Sequence, residues 1–506
     1  MSEEKRSETS TVKMAAPKLR SEKVFWIRKV IALYSIILVV CVGYPWFLYT
    51  TSVHRANLPI DDLNDAIQQL NNVRVCTSVF VDAEEDFISQ AQLVLDSKLA
   101  TEHPALNDYW SLKLIPLVDS TILDSREDYQ VLFGRVDEPV GASSVTLDDK
   151  VLVFEKSFSE MDSRAIQEQL ADALVNEVFE QEIEHFEATK SSHPEKSNVV
   201  IPYSSKYNLI FSLFVEDGHP VSWDTQTIQD LLSPLLDSLQ HYANFTISTQ
   251  VQYYSKLNIK SEFDEKSNTY KVKESDLSNF INFGDWNLNT NDINPSINFI
   301  IYYPSSNHQN LPMVIENSET NSFLVPQYGG LHIFNKKIDI LTDDNEVYIC
   351  DVELIEIMEI FSSQLFKLLG VPSKSSQNLP VRVDALTKLS ILNNLQHSIK
   401  TLSSLIKLTN ELHEISVPEL TKDFVNKSLQ SVRTSIHYLM SQNFKGAMVE
   451  SSIALKNSIS AFFDKDIVQQ VYFPSEHKLA VFLPLLGPLC SILLFSTLRL
   501  IKELRK

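Results

Sequence analysis

The most regular feature of the chain is a pair of long apolar runs, one near each end. Residues 30–50 read VIALYSIILVVCVGYPWFLYT, and residues 479–498 read LAVFLPLLGPLCSILLFSTL. Neither run contains a charged residue, and a helix of about 20 apolar residues matches the roughly 30 Å hydrocarbon core of a bilayer. The pattern therefore predicts two transmembrane helices, at 30–50 and 479–498.

The basic residues that flank these runs predict their orientation. They cluster before the first run and after the second: Lys18, Arg20, Lys23, Arg28 and Lys29, and Arg499, Lys502, Arg505 and Lys506. Because basic flanks remain in the cytosol, the tails 1–29 and 499–506 are predicted to be cytosolic. No small-x-small cleavage site follows the first run, which indicates an uncleaved anchor. Residues 51–478 are then lumenal.

Between the two runs, strand-like and helix-like segments alternate as far as residue 371. The predicted strands are 73–82, 112–119, 129–137, 150–158, 207–217, 245–257 and 297–304, and the predicted helices are 84–99, 163–185, 225–242 and 351–369. Such mixing favours an α/β or α+β body over residues 51–378. The polar stretch 187–198 and the Asn-rich stretch 268–298 are predicted to be loops.

From Asp384 onward the hydrophobic period becomes that of helices. Apolar residues recur every three or four positions, at Leu386, Leu389, Leu392, Leu395, Ile399, Leu402 and Ile406, and at Val425, Leu429, Val432, Ile436 and Leu439. A third helix is predicted at 447–463. This spacing predicts a helical hairpin or bundle over residues 379–478. The predicted fold class is α+β: a mixed α/β lumenal body, then a helical bundle, flanked by two transmembrane helices.

Charge and cysteine content narrow the functional classes. The net charge of the chain is −21, and because the two tails carry +4 and +3, the region between the runs carries −28. Such a surface repels nucleic acid. Two cysteines, Cys76 and Cys350, fall in that region. They are either a disulfide in an oxidising lumen or two buried thiols.

No recognised catalytic or ligand-binding motif occurs. With ten glycines, the chain has no nucleophile elbow, P-loop or dinucleotide fingerprint. His413-Glu414 lacks the second histidine of a zinc motif. The acidic groups Glu84-Glu85-Asp86, Glu180 with Glu182, and Asp343-Asp344 are interpreted as solvated surface, and Cys76 as a core residue rather than a nucleophile. The sequence thus predicts no catalytic residue, metal ligand or cofactor.

Two N-x-S/T sequons lie in the predicted lumenal region. They are Asn244-Phe245-Thr246 and Asn426-Lys427-Ser428. Asn426 falls on the polar side of its predicted helix, away from the apolar stripe. Asn244 and Asn426 are therefore the predicted N-glycosylation sites.

Several stretches resemble the PIG-S family, a subunit of the glycosylphosphatidylinositol (GPI) transamidase complex. They are HRANLPIDDL (54–63), QVQYYSKL (250–257), INPSINFIIYYP (293–304), NSFLVPQYGGLHIFN (321–335), QLFKLLGVP (364–372) and AFFDKDIVQQVYFPSEHKLAVFLPLLGP (461–488). The last stretch, at 461–488, is the most specific signal of this resemblance. The Asn-rich region is typical of a fungal-type member.

The paired glycines Gly329 and Gly330 predict a tight turn between strands.

The resemblance implies a non-catalytic subunit in the endoplasmic reticulum membrane. In that family's complex, the thiol chemistry that joins GPI to the new carboxyl end of a precursor is attributed to a different, caspase-like subunit. The implied partners are the other transamidase subunits and the bilayer, with GPI lipid and precursor protein as further candidates. Two alternatives stay open: a membrane-tethered lumenal hydrolase with dispersed catalytic groups, and a stand-alone receptor or adhesion ectodomain.

Overall fold

A computed structural model describes most of the chain between its two ends. The described residues are 19–43, 54–106, 109–117, 128–135, 144–156, 163–190, 201–256, 261–273, 294–309, 311–326, 328–336, 347–370, 378–412, 415–472 and 491–498, with a few isolated positions near the ends. They belong to two compact units. The larger is Pro59–Ser403 with Val425–Ile459, and the smaller is Met1–Leu58 with Ser404–Phe424 and Ser460–Lys506.

The helices differ widely in length. In chain order they are α1 (Leu19–Leu38), α2 (Ile60–Asn71), α3 (Glu85–Glu102), α4 (Ser163–Ala173), α5 (Glu180–Lys190), α6 (Thr225–Leu239), α7 (Asp351–Leu369), α8 (Leu379–Glu411), α9 (Glu419–Met440), α10 (Phe444–Phe462) and α11 (Lys465–Tyr472). Two π-helical turns follow α1 and α4, at Val39–Gly43 and Leu174–Val178.

The strands all precede α7 in the described part of the chain. They are β1 (Val75–Val81), β2 (Trp110–Pro116), β3 (Tyr129–Arg135), β4 (Ser144–Asp148), β5 (Val151–Lys156), β6 (Lys206–Val215), β7 (Val221–Trp223), β8 (Asn244–Gln252), β9 (Ser261–Asp264), β10 (Thr269–Val272), β11 (Ser296–Tyr303), β12 (Met313–Ile315), β13 (Ser322–Val325), β14 (Gly329–Ile333) and β15 (Val347–Ile349).

The first sheet of the larger unit has the strand order β2-β1-β3-β5-β4. Its first four strands in that order are parallel, and β4 pairs antiparallel with β5. Every second residue of β1 is buried, beginning with Val75, so one face of the strand carries the core. Helix α3 packs near this sheet, with the rings of Phe87 and Phe133 edge to face at 5.8 Å.

The second sheet has the strand order β13-β14-β11-β6-β8. Here β14, β11, β6 and β8 are parallel, and β13 pairs antiparallel with β14. The central strands β6 and β11 are buried along almost their whole length, as strands covered on both faces are. On one face, Phe361 of α7 contacts Phe211 and Phe299, with ring centroids 6.2 and 5.0 Å away.

The other face of the second sheet packs against a small three-stranded sheet, β12-β10-β9. Val272 and Ile315 from the small sheet share a core with Phe214, Ile300 and other residues of the second sheet. Local sequence fixes the ends of the covering helices. Asp224 accepts the backbone N–H of Gln226 at the start of α6, and Gly370 ends α7 in the left-handed conformation with φ 100°.

Helices α8, α9 and α10 contribute most of their apolar stripes to cores. Leu386, Leu395 and Leu402 of α8 are buried, as is the whole predicted α9 set from Val425 to Leu439. Small hydroxyl side chains allow close packing within the larger unit: Ser428 and Ser435 of α9 donate to the carbonyls of Ala454 and Ala447, each at 2.8 Å.

In the smaller unit, the segment after the first apolar run pairs with the segment before α9. Ala56 N donates to Val417 O, and Val417 N donates to His54 O, both at 3.0 Å. Thr421 donates to Asp464 Oδ2 at 2.7 Å, just before α11. These bonds organise the residues that precede α9 and α11.

All seven predicted strands of the body are present, within a few residues at their ends, and so are the helices predicted at 84–99, 225–242 and 351–369. The single helix predicted at 163–185 is instead α4 and α5, with a π-helical turn between them. The prediction of a loop over 268–298 is wrong at its edges, because Thr269–Val272 forms β10 and Ser296 begins β11. The loop predicted at 187–198 is wrong at its start, since α5 continues to Lys190. Residues 191–198 lie outside the described part of the chain. Sequence patterns missed the strands of three to five residues, which are too short to show a period.

Among the described residues, no helix has both the length and the apolar composition needed to cross a membrane. Of the run 30–50, the structure describes the end of α1, the π-helical turn and two single positions; of the run 479–498, chiefly 491–498, which are helical. The other residues of both runs lie outside the described part. The two transmembrane helices stay predictions.

Candidate functional site

Four ionisable side chains meet in the core of the larger unit. Asp384 and Lys388 stand one turn apart on α8, Glu182 lies on α5, and Lys150 immediately precedes β5. Their side chains are between 0% and 14% exposed. We refer to these four residues as the buried charge cluster. Two cations and two carboxylates make it balanced when all four are ionised.

Lys388 is the centre of the cluster. Its Nζ atom lies 2.8 Å from Thr77 Oγ1, 3.1 Å from Asp384 Oδ2 and 3.2 Å from Glu182 Oε2. An ammonium group has three donors, so these three acceptors satisfy it completely. The ring of Phe444 lies 4.9 Å from Nζ and helps to exclude water. A fully buried lysine is therefore held without an unpaired donor.

The carboxylates of Glu182 and Asp384 accept hydrogen bonds from further donors. Trp110 Nε1 donates to Glu182 Oε1 at 2.7 Å, and the Tyr129 hydroxyl donates to Asp384 Oδ2 at 2.9 Å. Lys150 Nζ lies 3.4 Å from Asp384 Oδ1. The charges of the cluster are thus paired and hydrogen-bonded, which is the condition under which buried charges are tolerated.

The pKa values reflect burial and pairing. Burial alone would raise the pKa of Asp384, but Lys388 and Lys150 outweigh it and lower that pKa to about 2. Burial also acts to lower the pKa of Lys388, but Asp384 and Glu182 hold it above its usual value. Burial raises the pKa of Glu182 despite Lys388. The contribution of Asp384 to stability is therefore present above its unfolded pKa and is lost as pH falls through about 2.

The cluster lies toward the amino ends of the parallel strands. Trp110 and Tyr129 are the first residues of β2 and β3, and Lys150 precedes β5. In open α/β sheets, ligands bind beyond the carboxyl ends of the strands, where the strand order reverses. The cluster is thus sealed from solvent and at the opposite end of the sheet. Its physical effect is to fasten α5 and α8 to the first sheet.

The carboxyl end of the first sheet is acidic where the order reverses, between β1 and β3. Glu84 is the N-cap of α3, and Glu85 and Asp86 follow in its first turn, all exposed. This confirms the interpretation of this triplet as solvated surface. Carboxylates at a helix N-terminus oppose the binding of a phosphate there.

The corresponding position in the second sheet lies between β6 and β11 and is occupied by the chain itself. Glu216 Oε2, just after β6, accepts the backbone N–H of Ser305 at 2.8 Å and its hydroxyl at 2.9 Å. Ser305 opens a short 3₁₀ helix, whose first N–H would be the donor to an anionic ligand. The carboxylate of Glu216 therefore occupies the position that an anionic ligand would take.

The structure brings together residues that the sequence did not group. Glu182 was interpreted as solvated, and this is wrong, because its side chain is 2% exposed. The signal was present in α8: Lys388 lies seven residues before Leu395 and fourteen before Leu402, in the phase of the buried stripe. A charged residue at a buried position of a helix indicates that an oppositely charged group is buried beside it. Asp343-Asp344 and His413-Glu414 lie outside the described residues.

Cys76 and Cys350 are free thiols in the structure, which decides against the disulfide. Cys76 is half-buried on β1, in register with Ser111, on the less buried face of the first sheet. Cys350 is the N-cap of α7, where Glu353 accepts its backbone N–H at 2.9 Å. Within the described residues, no three His, Cys, Asp or Glu side chains converge as metal ligands.

The two sequon asparagines are exposed. Asn244 is the first residue of β8, and Asn426 lies within α9. Thr246 donates to Asn208 Oδ1 at 3.2 Å, and Ser428 is buried. Glycosylation of Asn244 and Asn426 stays a prediction.

Gly329 and Gly330 lie at the start of β14, directly after the turn that connects it to β13. Tyr328 N donates to Val325 O at 3.1 Å, and Val325 is in register with Gly329. A turn does connect β13 to β14, but the prediction that the paired glycines form it is wrong, because both lie within β14. Gly329 has φ +151°, and a Cβ there would lie 1.7 Å from the carbonyl oxygen of Asn298. Only glycine allows β14 to approach β11 this closely.

The fold and the site define a mixed α/β protein with a helical C-terminal region, whose principal polar cluster is buried and structural. The chain belongs to the PIG-S family: the family model described as "Phosphatidylinositol-glycan biosynthesis class S protein" matches residues 34–506.

Curated relatives carry names that agree with this assignment. "GPI transamidase component GPI17" of Saccharomyces cerevisiae is 28% identical over 94% of this chain and 92% of its own length. "GPI-anchor transamidase component PIGS" of Homo sapiens is 29% identical over 59% of this chain and 58% of its own length. "GPI transamidase component PIG-S homolog" of Schizosaccharomyces pombe is 25% identical over 94% of this chain and 84% of its own length.

Proposed function

We propose that this chain is a non-catalytic component of a GPI transamidase complex, which joins GPI to the carboxyl end of precursor proteins. The observation that carries the proposal is the family match over residues 34–506, together with relatives named as components of this enzyme. The chain's partners are then the other subunits of the complex. GPI lipid and precursor protein are further molecules that the assembled complex brings close to it.

The described chemistry supports a non-catalytic role. Acyl transfer needs a nucleophile with an adjacent base, open to substrate. The buried charge cluster is sealed, and its lysine is saturated with partners. This disfavours the tethered hydrolase. The relatives' names disfavour a stand-alone receptor or adhesion ectodomain.

We also propose residence in the endoplasmic reticulum membrane with two spans, at 30–50 and 479–498, and both tails in the cytosol. The uncharged runs and their basic flanks support this arrangement. The domains are then 1–29 and 499–506 as cytosolic tails, 51–378 as the lumenal α/β region and 379–478 as the lumenal helical region.

Purification from mild detergent through a tag on this chain tests the proposed function. We expect the other transamidase subunits to be recovered in amounts comparable to the tagged chain, because a component of a complex binds its partners in fixed proportion. Depletion of the chain should reduce surface display of a GPI-anchored reporter. Recovery of the chain alone, with normal display after its depletion, would contradict the proposal.

N-glycans provide a separate test of the lumenal assignment. We expect Asn244 and Asn426 to carry glycans, because both asparagine side chains are exposed and lie between the two predicted spans. Endoglycosidase treatment should increase the electrophoretic mobility of the wild-type chain. The Asn244→Gln and Asn426→Gln variants should each lose part of that shift, and the double variant all of it. An unshifted wild-type chain would argue against a lumenal body.

A further inference from the structure

The outer edge of the second sheet is formed by β8, and no strand in the described part of the chain pairs with its open side. Its sequence, NFTISTQVQ, contains no charged residue and no proline, although 22% of the chain is charged. An open edge strand is a template for pairing with another strand. Proteins therefore usually protect such edges with charge, proline, a bulge or short length.

The other described edges of the two main sheets have such protection. Beside β2, the side chain of Gln92 donates to Leu112 O at 3.0 Å and accepts from Leu114 N at 2.8 Å, which occupies the edge. The same strand carries an exposed Lys113. β4 has five residues and β13 has four. β8, with nine residues, is the exception among these edges.

The alternation of the ladder identifies which backbone groups face outward. Asn244 N donates to Ser205 O at 3.0 Å, so the even-numbered residues of β8 bond to β6. The N–H and C=O groups of Ile247, Thr249 and Val251 then point away from the sheet. These groups form the row that an added strand would pair with.

An exposed tyrosine in a strained conformation follows the strand. Tyr254 has φ +59°, which is unfavourable for a bulky residue, and its side chain is 77% exposed. Its backbone N–H donates to Asp217 O at 3.1 Å, and its ring lies against Gly218. Strain of this kind persists where the surrounding structure imposes it, typically at binding sites. Tyr253 and Val251 are also exposed, at 41% and 42%.

We propose that β8 and Tyr254 form a docking edge for an extended segment of another protein chain, which joins the second sheet as an added strand. Backbone hydrogen bonds along the row bind the segment, and Tyr254 anchors its end. The proposal rests on the proposed function in one respect, namely that the partner chain is another subunit of the transamidase complex. It assigns a role to QVQYYSKL (250–257), which the fold alone leaves without one.

A second copy of this chain is a poorer occupant. Edge-to-edge pairing of two β8 strands related by a twofold axis is antiparallel, and it places Tyr254 of each copy beside Asn244 of the other. Asn244 is the proposed glycan acceptor. A segment of a different chain is not bound by this twofold register, and it can pair along β8 without placing a residue beside Asn244.

Thr249→Pro tests the docking edge, with Thr249→Ala as the matched control. Proline removes an outward N–H and leaves the ladder to β6 intact, whereas alanine keeps the N–H. With the full-length chain tagged in cells, we expect Thr249→Pro to reduce recovery of at least one transamidase subunit by about tenfold. Thr249→Ala should recover wild-type amounts, and both variants should unfold at similar temperatures.

Tyr254→Asn is a second variant that keeps the test decisive if proline prevents folding. Asparagine tolerates positive φ, so this variant should be at least as stable as wild type and still lose partner recovery. Wild-type recovery by both Thr249→Pro and Tyr254→Asn would overturn the docking edge and leave the proposed function standing. Absence of transamidase subunits even from the wild-type purification would overturn both. A third outcome is that tagged and untagged copies of this chain co-purify and that Thr249→Pro abolishes this pairing. That outcome would overturn the proposal, because the occupant of the docking edge would then be a second copy of this chain.

Discussion

Replacing Lys388 with alanine is expected to lower the free energy of unfolding by about 3–5 kcal/mol, among the largest single losses in this chain. The side chain is 0% exposed, and its removal leaves Glu182 and Asp384 buried beside each other without the cation between them. The loss should exceed that from an ordinary surface lysine because the remaining carboxylates keep their desolvation cost. Chemical denaturation of the purified chain, followed by circular dichroism, measures it.

The matched control is Lys456→Ala, an exposed lysine on α10. This control should change the free energy of unfolding by less than about 0.5 kcal/mol. Adding Glu182→Gln to Lys388→Ala should restore part of the loss, since one uncompensated carboxylate is then neutral. Equal, small effects of Lys388→Ala and the control would mean that the buried charge cluster does not hold the helices to the first sheet.

Gly329→Ala is expected to lower the free energy of unfolding by about 2–5 kcal/mol. The new methyl group meets the backbone of β11, and the residue keeps a φ angle that is unfavourable for alanine. A Cβ there lies 1.7 Å from the Asn298 carbonyl oxygen, and backbone cannot rotate away as a side chain could. Thermal unfolding of the purified chain measures the loss.

Gly446→Ala provides the matched control within helix α10. The atoms nearest to a methyl group at this position belong to the side chains of Asn443 and Tyr438, at 3.0 Å, and alanine favours the helix. We expect a change within about 1 kcal/mol. If Gly329→Ala were as well tolerated as this control, β14 and β11 would not require a residue without a side chain.

Sequence pattern predicted the elements whose period is long enough to see. β6 and β11 are almost uninterrupted apolar runs, and the stripes of α8 and α9 follow the helical period, so these elements were located within a few residues. The small strands β9, β10 and β12 have three or four residues each. Their positions are decided by packing over the second sheet, which no local pattern contains.

The buried charge cluster could not be assembled from the sequence. Lys388 is separated from Glu182 by 206 residues and from Thr77 by 311. The phase of Lys388 within α8 predicts that it is buried but not which groups satisfy it. For β8, the sequence shows that the strand is uncharged. That the strand lies at the edge of the second sheet depends on the strand order, which only the structure gives. Family membership, by contrast, was accessible from the sequence through the quoted stretches.

The most direct test of a non-catalytic component is GPI transfer by a complex in which this chain has no thiol. Cys41, Cys76, Cys350 and Cys490 are all of its cysteines, and each can be replaced by serine or alanine. With the complex recovered intact, display of a GPI-anchored reporter should stay within about two-fold of wild type, a difference of roughly 0.4 kcal/mol in the barrier. Loss of display from an intact complex would place the chemistry in this chain and contradict the proposed function.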